Sequence, residues 1–251
     1  MIYNMIYIIF LLFCIFFYLL LKNKIEYFNN FQPKNVIMTT YFCKKKDPQR
    51  KKFAPCNDLK YIKPWYDSIK KLNLNGIVFH DGLSKNFINN YETDKIKFVY
   101  VNSKNFKYSL NDQRYFIYYD YLQRNKHIQN VFMTDGNDVT VVKDPFKLCK
   151  NKICVGNELN EISKNKWMLN KINKFNKNHK FVFDINNKKT IYNAGILGGN
   201  RNNILIFLKN MITIFNKMNI KQTTENLNMI VFNYVVYYKL NEKVTTGFPL
   251  N

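Results

Sequence analysis

"VFMTDGNDVTVVKDPF", residues 131–146, sets two carboxylates, Asp135 and Asp138, around a Gly136-Asn137 turn between apolar runs. Val131, Phe132 and Met133 precede the turn, and Val139, Val141 and Val142 follow it. Apolar at successive positions, "NVFMT" (130–134) reads as a strand buried on both faces, the pattern of a parallel sheet covered by helices. In such sheets ligands sit beyond the carboxyl ends of the strands, so acidic residues at a strand end are functional candidates. Spacing alone leaves two readings level. Two carboxylates so close together can converge on a hard divalent cation. Asp-Gly-Asn-Asp is equally good turn chemistry by itself.

Outward from this stretch the chain alternates strand-like and helix-like segments. "NVIMTTYF" (35–42) is a short apolar run, and "PWYDSIKKL" (64–72) opens on Pro64 and spaces Trp65, Ile69 and Leu72 for one helical face. "GIVFH" (76–80) and "IKFVYV" (96–101) are compact strands, and "NDQRYFIYYDYLQR" (111–124) is a helix starting at Asn111 or Asp112. Two further helices are predicted downstream. "NILIFLKNMITIFNKM" (203–218) puts Ile204, Phe207, Leu208, Met211, Phe215 and Met218 on one face. "TENLNMIVFNYVVYYKL" (224–240) opens on a cap-like Thr224 followed by Glu225. The alternation predicts an α/β domain with a mostly parallel, doubly wound sheet over residues 35–251.

Ahead of that domain, Met5 to Leu21 is a run of 17 residues without charge. Crossing a bilayer takes roughly 20 apolar residues. With no small-x-small cleavage site before "KNKIEYF", an uncleaved transmembrane signal-anchor over residues 1–22 is favoured over a removed signal peptide, with a polar stem over 23–34. A single-pass protein of a Golgi- or ER-type or other intracellular membrane is therefore expected. Lys22 and Lys24 favour a cytosolic domain by the positive-inside rule, and the side is left open.

A formal charge of +22 raises a nucleic-acid partner as an option. The lysines are scattered without a dominant stripe, while Asn, Ile, Tyr and Phe are enriched with them, so no nucleic acid is expected. One cluster, "CKKKDPQRKK" (43–52), is interrupted by Asp47-Pro48 and lacks apolar periodicity. It reads as a solvated loop ahead of a phosphate- or membrane-facing patch. No C-x-x-C and no histidine at ligand spacing support a zinc finger. Cys43 with Cys56 and Cys149 with Cys154 can bridge in an oxidising compartment, whereas the absence of N-x-S/T leans toward the cytosol. His80, His127 and His179 stand far apart and read as satisfied or surface residues. Trp65 and Trp167 read as core anchors, with Trp167 also eligible to face a ligand.

The segment around Asp135 and Asp138 resembles the metal-binding Asp-x-Asp region of GT-A-fold glycosyltransferases, which runs strand, Asp-x-Asp, short apolar strand, then Asp-Pro. Here "VTVVKDPF" follows Asp138, and the interval to Asp144 is similar to that of glycogenin-like and histo-blood-group-like retaining members. The chain departs from the pattern at Gly136, where the first Asp would stand, and Asp135 is its substitute. The resemblance implies Asp138 and Asp135 as ligands of Mn²⁺ or Mg²⁺. "IYNAGILGGNR" (191–201) resembles the Asn-x-Gly strand and loop that line the donor-sugar and acceptor cleft. Asn193 would offer an amide to sugar hydroxyls, and Gly195, Gly198 and Gly199 would allow close backbone approach. A glycine-rich turn ahead of a helix is the plain alternative.

By the same resemblance Arg114 would reach the donor diphosphate, the alternative being a surface arginine. "VIMTT" (36–40) resembles the strand whose end holds the nucleotide base, with Thr39 and Thr40 as candidates. Glu225 and Asn226 fall near the place of a carboxylate or amide beside the anomeric carbon. Together these imply a metal-dependent glycosyltransferase, retaining in stereochemistry, that moves a sugar from a nucleotide donor. The donor expected is a UDP-sugar, and the acceptor a hydroxyl on a glycan, glycoprotein or glycolipid. The rivals are a catalytically silent nucleotide-sugar- or glycan-binding protein on the same scaffold and a membrane-tethered basic nucleic-acid binder.

Overall fold

Residues 35–41 carry apolar or β-branched side chains at most positions, and Val36 to Thr39 are buried in succession. They form strand β1 of a computed structural model that describes residues 10–15, 31–149, 151–179, 182–184, 188–218, 226–240 and 244–250. Continuous burial also marks β2 (Gly76–His80) and β4 (Asn130–Thr134), and β3 (Ile96–Tyr100) opens to solvent at its end. Two further strands, β5 (Cys154–Glu161) and β6 (Thr190–Asn200), complete a six-stranded sheet in the order β3-β2-β1-β4-β6-β5.

The strands β1 to β4 are parallel to one another, whereas β6 runs antiparallel to both β4 and β5. The sheet is thus mixed, and the expectation of a mostly parallel sheet holds for the β1–β4 block. β6 escapes the pattern because its glycines read as a turn in the sequence. Gly198 and Gly199 instead sit within the strand, paired with Phe132 and Val131 of β4.

Helices α1 (Lys63–Lys71), α2 (Lys85–Tyr91), α3 (Leu110–Arg124), α4 (Lys166–His179), α5 (Arg201–Lys217) and α6 (Asn228–Tyr238) accompany the sheet. The predicted apolar face of α5 is buried from Ile204 to Met218. α6 is buried on nearly every side, as its largely apolar sequence requires, and the Asn233 it buries is satisfied by the Tyr192 backbone. Ser109, not Asn111 or Asp112, caps α3, its Oγ accepting from the Asp112 N–H. Residues 139–142, expected as a short strand after the aspartates, have no strand pairing; the Val141 N–H donates to Ser68 Oγ at 3.0 Å. Two disulfides join Cys43 to Cys56 and Cys149 to Cys154.

Two compact units divide the chain, residues 1–33 and 34–251. In the first, residues 10–15 are helical and exposed. No helix among the described residues is long and apolar enough to cross a membrane. The rest of the expected anchor over 1–22, with most of the stem, lies outside the described residues.

Candidate functional site

β4 lies between β1 and β6, and its last residue is locked from both sides. The Trp65 indole N–H donates to Thr134 Oγ1 at 2.9 Å, and Thr39 Oγ1 donates to the Thr134 carbonyl at 2.9 Å. Asp135 therefore leaves the sheet from a fixed point, and its N–H extends the ladder by one bond to the Gly195 carbonyl, 2.9 Å away. The next position must be glycine. A Cβ on Gly136 would stand 2.7 Å from Thr39 Oγ1, so a side chain there would press on the buried β1 threonine.

A second close approach comes from β6. A Cβ on Gly195 would meet Asp135 Oδ2 at 2.6 Å and Asn193 Oδ1 at 2.8 Å. The bare glycine lets β6 run directly under the carboxylate. α3 presents Arg114, which is buried. It pairs through Nη1 with Asp135 Oδ1, while Nη2 donates to the Ala194 carbonyl at 2.9 Å and lies 3.3 Å from the Tyr115 hydroxyl. The surface-arginine alternative is thereby overturned. Burial opposes the Arg114 charge, but the Asp135 carboxylate prevails and holds its pKa well above the ordinary value.

Thr40, Arg114, Asp135, Asp138, Asn193, Gly195 and Asn226 all border one cavity of about 370 Å³. They come from five separate parts of the chain. Other predicted residues are placed elsewhere. Thr39 is fully buried and bonded to β4. Gly198 is packing: a Cβ there would lie 2.4 Å from the Phe132 ring. Gly199 faces the Lys152 carbonyl and Ile153, away from the cavity. Glu225 lies outside the described residues. Trp65 is a core anchor, and Trp167, 43% exposed, stands at the cavity rim. His80 is satisfied, its Nδ1 accepting from the Leu83 N–H at 3.2 Å. Comparison with protein-family models found no match, and neither did comparison with curated proteins.

The cavity also has walls that the sequence did not signal. Tyr61, Asn111, Glu158 and Asn228 border it, as do Asp47 and Arg50 of the basic loop. Desolvation raises the Glu158 pKa. Asp138 is exposed at the mouth, yet partial desolvation and the neighbouring Asp135 carboxylate raise its pKa too. Behind the cavity Asp112 is buried and accepts from the Leu227 N–H at 3.1 Å, which anchors the start of α6 and so places Asn226 and Asn228. Burial pushes its pKa up to about 7. The side-chain oxygens of Asn226 and Asn228 are buried without a hydrogen-bond partner among the described residues.

Among the described residues, no three His, Cys, Asp or Glu side chains gather as a metal cluster. Asp135 and Asp138 are nevertheless hard oxygen donors facing one cavity, and their mutual repulsion is what a divalent cation relieves. Such a pair fits an ion that keeps its other positions for water or phosphate oxygens, as Mg²⁺ does.

Proposed function

We propose that the chain is a metal-dependent glycosyltransferase of GT-A type, acting on a nucleotide-diphosphate sugar, with UDP-sugar as the expected donor. One observation carries the reading. The aspartate pair, Asn193 and Gly195 of β6, Thr40 of β1, Arg114 of α3 and Asn226 before α6 border a single cavity beyond the ends of the parallel strands. Held by Asp138 and Asp135, Mn²⁺ or Mg²⁺ would offset the charge that develops on the departing diphosphate.

The remaining work falls to the chain's own groups. Arg114 fixes the orientation of Asp135 from a buried position. The Asn193 oxygen accepts from the Gly195 N–H at 2.6 Å, so the group it offers a sugar hydroxyl is its NH₂. The Asn226 and Asn228 oxygens, unpartnered among the described residues, seek donors, which sugar hydroxyls supply. Trp167 at the rim offers a flat apolar face to an acceptor glycan. Retention of anomeric configuration is the expected outcome. The two disulfides fit an oxidising compartment, against the cytosolic side favoured by the lysines after the apolar run.

A second reading has one observation in its favour. Arg114 already occupies Asp135 Oδ1, which suits a silent nucleotide-sugar- or glycan-binding protein that needs no cation. The full chain incubated with UDP-sugars and Mn²⁺ separates the two. Metal-dependent release of nucleoside diphosphate that is lost in Asp138→Ala supports the transferase, and nucleotide binding without release supports the silent binder.

A further inference from the structure

Residues 43–52, a solvated loop by sequence, carry Arg50 to the cavity. The segment is built as a small hairpin. Lys46 pairs antiparallel with Phe53, the Asp47 N–H donates to the Lys52 carbonyl at 2.8 Å, and the Lys51 N–H returns to the Asp47 carbonyl at 2.8 Å. At the tip Asp47 Oδ1 accepts from the N–H groups of Gln49 (2.7 Å) and Arg50 (2.8 Å). The Cys43–Cys56 disulfide, with Cα atoms 5.4 Å apart, ties the base together. Just beyond, the Tyr41 hydroxyl, stacked on Tyr61, donates to the Asp58 carbonyl at 2.9 Å.

This hairpin holds one guanidinium over the mouth of the cavity. The Arg50 side chain is 54% exposed and 3.9 Å from the Asp47 carboxylate. With the Asn137 amide turned so that its oxygen faces the guanidinium, Nη1 and Nη2 each lie 2.9 Å from that oxygen, inside the Asp-Gly-Asn-Asp turn. Arg50 also borders a second cavity of about 240 Å³ lined by Phe42, Phe53 and Tyr61. Thr40, Asp47, Arg50, Tyr61 and Asn111 are common to both cavities. The other arginine at the site, Arg114, is buried, with Nη1 paired to Asp135 and Nη2 donating to the Ala194 carbonyl.

We propose that Arg50 is a phosphate-binding residue, and that the ligand is a diphosphate ester lying across the boundary between the two cavities. A neutral amide oxygen is a weak partner for two parallel N–H donors. A phosphate presents two charged oxygens in matching geometry and displaces it. The disulfide keeps the hairpin tip, and with it Arg50, poised over the mouth before ligand arrives. The inference rests on the reading of the cavity as a diphosphate site and adds a residue to it.

Calorimetric titration of the full chain in the presence of Mn²⁺ tests this, with UDP, inorganic pyrophosphate and uridine as probes. Arg50→Gln is expected to weaken UDP and pyrophosphate about 10- to 150-fold, the range for hydrogen bonds to charged groups, and to leave uridine unchanged. Cys43→Ser with Cys56→Ser shifts UDP in the same direction by a smaller factor. Arg124→Gln, on the exposed end of α3, binds like the parent. Unchanged UDP and pyrophosphate affinity in Arg50→Gln overturns the role of Arg50 while the diphosphate site stands. Equal loss of uridine binding also overturns it, since Arg50 would then shape the cavity without contacting phosphate. A parent chain that binds neither UDP nor pyrophosphate overturns the cavity reading, and Arg50 with it.

Discussion

Asp135 and Asp138 are three residues apart, yet they belong to two differently built regions. Asp135 sits on a floor of strands: β4 and β6 meet beneath it, Gly195 and Gly198 let them pack, and buried Arg114 grips it from α3. Asp138 sits on a rim of loops. The segment after β4 closes at Cys149–Cys154, and the hairpin after β1 closes at Cys43–Cys56. Beyond a strand end the ladder no longer supplies partners for the backbone, so Asx-turn bonds and covalent closure do the holding there. The floor fixes one carboxylate, and the rim leaves its neighbour free to meet a ligand.

Substitutions should separate these regions cleanly. Gly198→Val forces a side chain into the Phe132 ring and is expected to cost about 3 kcal/mol in urea unfolding. Its binding of UDP per folded molecule should stay near that of the parent. Arg114→Gln strips Asp135 of its buried partner. Because Asp135 is about a third exposed, the loss is discounted to about 2 kcal/mol. Unlike Gly198→Val, this variant should also lose Mn²⁺-dependent UDP binding. Asp138→Asn belongs to the rim, so unfolding free energy should move by less than about 0.5 kcal/mol, while Mn²⁺-dependent binding disappears. A large stability loss in Asp138→Asn would erase the distinction between floor and rim.

The pH dependence sharpens the same contrast. Burial holds the framework His80 at about 4, below its ordinary value. Its stabilising contribution is complete above pH 6.5 and is lost as the pH falls toward 4. Asp112 behaves oppositely. With its carboxyl raised to about 7, its contribution is full in acid and declines as the pH rises to 7. The two slopes oppose each other between pH 4 and 6.5. Asp112→Asn should therefore show a steeper gain of stability with pH than the parent across that interval, measured by urea unfolding at a series of pH values. Rim titration should appear in affinity instead: protonation of Asp138, whose pKa is raised, weakens Mn²⁺ binding as the pH falls.

Much of the framework was legible in the sequence, because buried strands and amphipathic helices write their periods directly into it. Helix α1 and strands β1 to β4 fell within a residue of the predicted segments. The helix α4 was missed, although Met168, Ile172 and Phe175 recur at helical spacing and are all buried. Its abundant Asn and Lys dilute that signal. Within the site, Asp135 was legible from its place after a strand end, while Asn193 and Gly195 were singled out by a motif resemblance, and all three reach the cavity. Gly198, Gly199 and Thr39 were not, since a glycine or threonine placed for packing looks the same in one dimension as one placed for a ligand.

By itself, the sequence determined the α/β alternation, the buried strand that ends at Thr134 and the acidic turn that follows it. Each of these is a local pattern of polarity and turn chemistry. Tertiary structure alone decided the antiparallel entry of β6, the capture of Asp135 by Arg114 and the arrival of Arg50 from a loop about 85 positions upstream. Those depend on which distant groups meet, and a charge or a glycine carries no record of its partner until the chain has closed around it.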